Sequence, residues 1–178
     1  MRRCSGVSAS MQNHFDLFGL APAFAVEGEA LERSYREIQS KVHPDRFAHA
    51  GDAERRASLQ WTTRVNEAYR TLKDPVQRAR HILELHGVDV AFETNTAMPP
   101  EFLMQQMELR ETLEEAKDAT SLDKLRADLN KQRNQLEKAI AEAIDEKKDY
   151  SGASGLVRKL QFLHRLEEEI DAAYEEIE

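Results

Sequence analysis

Leu31, Tyr35, Ile38 and Val42 stand 4, 3 and 4 residues apart, the interval at which one face of an α-helix repeats. That helix must end at Val42 or His43, because Pro44 disfavours helical geometry in the residue before it. Ahead of it, Phe15, Leu17, Phe18 and Leu20 make a short apolar opening before Pro22. A second stripe follows Gly51: Ala57, Trp61, Val65, Ala68 and Leu72, at spacings of 4, 4, 3 and 4. Asp74-Pro75 closes it and starts a shorter helix, since proline suits a first helical turn, with Val76, Ala79 and Leu83 on the inner face. A short connection makes the first two long helices antiparallel and leaves residues 43–50 at an exposed tip. Such a tip offers side chains to a partner rather than to a core.

Beyond residue 99 the period stays helical. Residues 100–117 carry Phe102, Leu109, Leu113 and Ala116. Residues 121–147 carry Leu122, Leu125, Leu129, Leu136, Ala139 and Ala143, with Ser121 placed as an N-cap. Residues 154–177 carry Leu156, Leu160, Leu163, Ile170, Tyr174 and Ile177, after a turn expected at Ser151-Gly152. Three helices with one stripe each predict a small bundle. No strand pattern or internal repeat competes, so the chain is expected to be all-α, a helical hairpin followed by a three-helix bundle. The boundary is expected where Gly87 follows His86 and where Thr94 to Pro100 turns polar. The expected units are a flexible leader over 1–13, a first domain over 14–87, a linker over 88–99 and a bundle over 100–178.

Charge separates the same two regions. Residues 1–90 hold 13 Lys+Arg against 12 Asp+Glu, and residues 91–178 hold 12 against 21, summing to the net −8 of the whole. An acidic protein is a poor match for a polyanion, so no nucleic-acid partner is expected. No apolar run approaches the roughly 20 residues that span a bilayer, so no membrane partner is expected either. One cysteine, Cys4, excludes an internal disulfide and a cysteine-only zinc site. The first ten residues hold Arg2, Arg3, three serines and no acid, a faint likeness to an organelle-targeting leader; Met11 is an equally good start.

The tip reads Val42-His43-Pro44-Asp45-Arg46-Phe47. Pro44 fixes its own backbone angle, so His43 and Asp45 are presented on a stiff turn, a potential donor beside a fixed anion. A plain turn would use the same residue types. The flanks decide otherwise. His43-Pro44-Asp45 between two amphipathic helices, followed by Val65-Asn66-Glu67-Ala68-Tyr69 and Leu72-Lys73-Asp74-Pro75, resembles the J domain of DnaJ-type co-chaperones. The resemblance implies that this turn docks on a DnaK/HscA-type ATPase chaperone, with Asp45 engaging an arginine there and triggering hydrolysis of ATP by the partner. A charge-assisted pair of that kind is sensitive to geometry. Arg33, Arg36, Lys41 and Arg46, against Glu37 and Asp45, form a basic rim that would steer an acidic partner. The chaperone-binding candidates are therefore His43, Pro44, Asp45, Arg36, Lys41 and Arg46.

The segment after Pro99 is more apolar than one stripe requires. At about 100° per residue, Leu109, Leu113 and Ala116 fall within about 40° of Phe102. Leu103, Met107 and Met104 fall at about 100°, 140° and 200°, and Glu108, Glu111 and Glu115 between about 180° and 240°. Such a second face, soft and edged with carboxylates, suits an adaptable binding surface. A helix buried on both faces at the bundle centre would carry the same pattern. The run Phe102-Leu103-Met104-Gln105-Gln106-Met107-Glu108-Leu109-Arg110-Glu111 resembles the opening of the C-terminal domain of the HscB family, J-type co-chaperones of iron–sulfur cluster assembly. Arg78-Ala79 to Leu85-His86-Gly87-Val88 resembles that family too. The resemblance implies that an IscU-type cluster scaffold binds this face, through Leu103, Met104, Met107, Glu108, Glu111, Glu115 and Phe162. Met107 stands where leucine is also usual, and the cysteine-rich zinc module of many eukaryotic members has no counterpart. A cytoplasmic location is thus expected ahead of a mitochondrial matrix.

Catalysis by this chain is not expected. His43 and Asp45 have no third group to orient them, and Cys4 has no structured surroundings to activate it. Nor is a cofactor or metal expected. His81 and His86 are five apart, which does not share a helix face as a spacing of four does, and read as surface or capping histidines. One alternative stays open, a J protein whose acidic bundle delivers a different client; a coiled coil over 100–177 is disfavoured by the two turns that break it.

Overall fold

A computed structural model describes residues 13–90 and 99–177 of the chain. Most of the expected leader and linker, with Cys4, Met11 and residues 94–98, lies outside the described residues. The described residues are all-α, in two compact units, one ending at Leu85 and the other beginning at His86.

The first unit holds α1 (His14–Leu17), α2 (Gly28–Val42), α3 (Asp52–Lys73) and α4 (Pro75–Leu85). The other three helices all pack on α3. Tyr35 stacks on Tyr69 with ring centroids 4.0 Å apart and donates to Asn66 at 2.9 Å, while Val42 meets Ser58 and Thr62. Numbers falling along α2 thus meet numbers rising along α3, and the hairpin is antiparallel. Phe15, Leu31, Val65, Ala68, Leu72, Val76, Ala79, Ile82 and Leu83 are buried.

Two expectations fail in this unit. Ala57 and Trp61 are exposed, and the first half of α3 turns Ser58 and Thr62 inward instead. The stripe is displaced by one residue because the facing partner there is the polar end of α2, not its apolar side. Trp61 lies on the surface with the Arg64 guanidinium 5.2 Å from its ring. Of the two roles expected for His81 the surface one fails and the capping one holds: it is buried, stacked on His14 at 4.3 Å, and its Nε2 accepts from the backbone N–H of His14, the first residue of α1, at 3.1 Å. Burial, and next the neighbouring His14, pushes its pKa down to about 4.

The second unit holds α5 (Pro100–Glu115), α6 (Ala119–Ala141) and α7 (Tyr150–Ile177), with one wider π turn, Glu142–Glu146, prolonging α6. Its core is Leu122, Leu125 and Leu129 against Leu163, Leu166 and Ile170, fringed by Leu109, Leu113 and Ala116 of α5. Beyond Leu129 the buried positions of α6 are Ile140 and Ile144 rather than Ala139 and Ala143. Along α7 they include Val157 and Leu166, while Leu156 is half-buried and Ile177 exposed.

Both expected helix starts move. Asp118, not Ser121, caps α6: its carboxylate accepts from Ser121 N–H at 2.8 Å. Those bonds hold the Asp118 carboxyl below the usual range. An anion there also suits the positive end of the helix dipole. Ser151-Gly152 lies inside the first turn of α7; the chain reverses at Lys147–Asp149, with Lys148 at φ 56. Asp149 accepts from Gly152 N–H at 2.8 Å, and a Cβ on Gly152 would collide with that carboxylate. The glycine thus makes room for a cap rather than a bend.

Candidate functional site

The expected residues lie on two surfaces, one in each unit. At the hairpin tip, α2 stops at Val42 and Pro44–Phe47 make a single 3₁₀ turn. His43 sits between them in extended backbone, φ −58 and ψ 132, as the residue before a proline should. Its Nδ1 accepts from Asp45 N–H at 3.3 Å, so the imidazole caps the turn that it precedes. The same nitrogen is 3.5 Å from Asp45 Oδ2. The Asp45 side chain is 90% exposed. Arg46 folds back so that its Nη1 donates to the Ser40 carbonyl at 2.9 Å. His43, Pro44, Asp45 and Arg46 are thus brought together on a braced turn.

The basic rim is less free than its sequence suggests. Each cation of α2 pairs with a glutamate four residues before it: Arg33 with Glu29 at 3.6 Å, Arg36 with Glu32, and Lys41 with Glu37 at 2.6 Å. Glu29 and Glu32 precede the basic stretch and so escape a local count. Exposed pairs of this type are worth little and exchange readily for a better acceptor. Two further residues shape the tip, Ser58 and Thr62 of α3, which both donate to the Val42 carbonyl, at 2.6 and 3.1 Å. Their signal in the sequence was a pair of hydroxyls one helical turn apart beside an apolar stripe.

On α5, Phe102 is buried and sets the inner face; its ring meets Phe162 edge-on at 5.7 Å, with Lys159 Nζ 5.3 Å away. Leu103, Met104 and Met107 are 45%, 63% and 72% exposed, which excludes a helix buried on both faces. Glu108 and Glu111 stand one turn beyond Met104 and Met107, Glu115 one turn further, and all three are exposed. Phe162 differs from its expected neighbours. It is half-buried at the core fringe beneath Arg110, whose guanidinium lies 5.8 Å from its ring and 3.6 Å from Glu169. Among the described residues no group of three or more His, Cys, Asp and Glu could hold a metal ion. No described helix is long and apolar enough to cross a membrane.

An antiparallel pair of helices with His-Pro-Asp at its exposed tip is the arrangement that the resemblance to J domains implies. The HSCB C-terminal oligomerisation domain matches residues 98–171. The co-chaperone protein HscB homolog of Azoarcus sp. (strain BH72) is 47% identical over 170 residues, 94% of this chain and 96% of that one. That of Bordetella petrii is 48% identical over 162 residues, 90% and 95% of the two chains. Among solved structures, the chaperone HscB from Vibrio cholerae superposes with a TM-score of 0.83 at 32% identity, over 94% of this chain and all of its own. The human co-chaperone HscB gives a TM-score of 0.87 at 27% identity, over 93% of this chain and 83% of its own. The chain belongs to the HscB co-chaperone family.

Proposed function

We propose that this co-chaperone stimulates the ATPase of a DnaK/HscA-type chaperone through its tip and delivers to it an IscU-type iron–sulfur scaffold. The J domain would occupy residues 14–87 and the scaffold-binding bundle residues 100–178, joined through 88–99. The chain would perform no catalysis itself: its relatives are named co-chaperones, and ATP hydrolysis would be the partner's. Those relatives are bacterial, which supports action in a bacterial cytoplasm.

One observation carries the proposal most: three large apolar side chains stand exposed on a helix whose core face is separately filled. Leaving them in water has no use in folding, whereas a partner covering them would recover their burial. Unbranched methionines adapt to a partner's shape, and Glu108, Glu111 and Glu115 would choose a basic rim around its apolar centre. At the other end, Asp45 projects an anion from a turn with little freedom, so a guanidinium can be engaged at small entropic cost. Phe162 would act from beneath, as support for the patch.

The test is the steady-state ATPase rate of the chaperone with this protein, with and without the scaffold. Stimulation that rises more than additively with scaffold is expected. A rate indifferent to scaffold would leave the tip's role standing and assign the bundle to another client; no stimulation at all would remove the proposal.

A further inference from the structure

A helix end leaves carbonyls that only outside donors can satisfy. At the end of α2 this problem is acute, because Pro44 offers no N–H and holds His43 out of the helix. The Gln39 carbonyl takes the N–H of His43 at 3.0 Å, and the Ser40 carbonyl takes Arg46. Val42, the last helical residue, is served from another element: Ser58 Oγ and Thr62 Oγ1 of α3 both donate to its carbonyl. A helical Ser or Thr ordinarily returns its hydroxyl to its own helix, as Thr63 does to the Leu59 carbonyl and Thr112 to that of Glu108. Ser58 and Thr62 reach across the hairpin instead. Ser58 is 4% exposed; its hydroxyl keeps a part-buried carbonyl from going unpaired, and because the bond is made across the hairpin it also fixes the direction of that carbonyl.

We propose that Ser58 and Thr62 are positioning residues for the His43-Pro44-Asp45 turn: by fixing the Val42 carbonyl they fix the peptide plane from which the turn departs. The φ of Pro44 is locked by its ring and His43 is confined by the proline after it. The Val42–His43 peptide is thus the joint at which the turn leaves the rigid helix. With that joint held, the backbone of the turn, and with it the Cα–Cβ bond of Asp45, leaves the helix in one direction before any partner arrives. This deepens the co-chaperone proposal above and rests on it for the identity of the partner.

The test uses the full chain with Ser58→Ala and Thr62→Val together, which keep the volume of α3 nearly unchanged and remove both donors. A turn that is only partly in the competent direction binds more weakly in proportion to that fraction. The concentration of co-chaperone giving half-maximal ATPase stimulation is expected to rise about tenfold, the effect of losing roughly one hydrogen bond's net worth or more. The plateau rate and the circular dichroism stay as in the native chain. Thr62→Ser, which retains its hydroxyl, should behave like the native chain. An unchanged half-maximal concentration overturns the proposal, as does a loss of helicity that accounts for the effect. Should the native chain not stimulate at all, the co-chaperone proposal fails, and positioning is judged by backbone NMR relaxation. Lower order at His43 and Asp45 in the double variant, with the remaining α2 and α3 amides unchanged, would sustain it, and an unaltered tip would end it. If the double variant does not fold, Thr62→Val alone carries the same two measurements.

Discussion

At the scale of single residues, two histidines show how one residue type takes opposite roles. His43 is at the surface and uses one ring nitrogen to cap a turn. His81 is buried and uses Nε2 to hold the N–H of His14, which anchors α1 against α4. Only the unprotonated ring can accept that bond. Its pKa in the folded chain, about 4, lies below the ordinary 6.5, so the unfolded chain binds the proton more readily. The associated stability is fully present above pH 6.5 and is lost as the pH falls toward 4. His14 adds in the same direction, burial again lowering its pKa, with Arg64 assisting against Glu67 and Glu84. Melting followed between those limits should show a falling midpoint, and His81→Gln, which can accept the bond without titrating, should flatten the fall. An equally steep fall in the variant would place the acid sensitivity elsewhere. None of this was legible from residue spacing. A lone histidine on an inner helix face carries no mark of whether a backbone N–H awaits it, and the donor here comes from 67 positions away. His43 and Asp45 were legible because proline makes their geometry local.

At the scale of the helix, α5 is the informative case. Its two apolar faces are identical in kind on a helical wheel, and only the positions of α6 and α7 distinguish the filled face from the exposed one. That predicts opposite consequences for neighbouring substitutions. Phe102→Ala opens the core and should cost about 3 kcal/mol of stability. Leu103→Ala with Met107→Ala touches exposed positions and should stay within about 0.5 kcal/mol of the native chain. The same pair should weaken scaffold binding about tenfold or more, because large side chains at the centre of an interface carry most of its energy. Thermal melting and calorimetric titration with the scaffold, run on both variants, separate the cases; native affinity in the double variant would refute the patch. The long helices were legible, but the short α1, the π turn after α6 and the helix ends were not. Asp118 and Ser121 are equally good caps in sequence, and so are Asp149 and Ser151; the backbone chose aspartate in both places. The displaced stripes of α3 and α6 have a related cause: an inner face follows the partner helix, and the partner of Ser58 is a carbonyl.

At the scale of the whole chain, the question is why a near-neutral hairpin and an acidic bundle share one polypeptide. Each unit has its own buried residues. Under the proposed function, joining them lets both partners be held at once. A scaffold bound to one unit then meets the chaperone bound to the other at an effective concentration in the millimolar range for a short connection, far above its free concentration. Two full-length variants test this. Asp45→Ala should bind scaffold normally and stimulate nothing. Leu103→Ala with Met107→Ala should stimulate the basal ATPase and lose the scaffold-dependent increment. An equal mixture holds an intact tip and an intact patch on different molecules. If delivery depends on covalent linkage, the mixture shows no increment above the patch variant alone, and excess Asp45→Ala chain sequesters scaffold unproductively. Recovery of the increment in the mixture would mean that the surfaces cooperate between molecules, and the single chain would then serve to match their amounts rather than to bring their partners together.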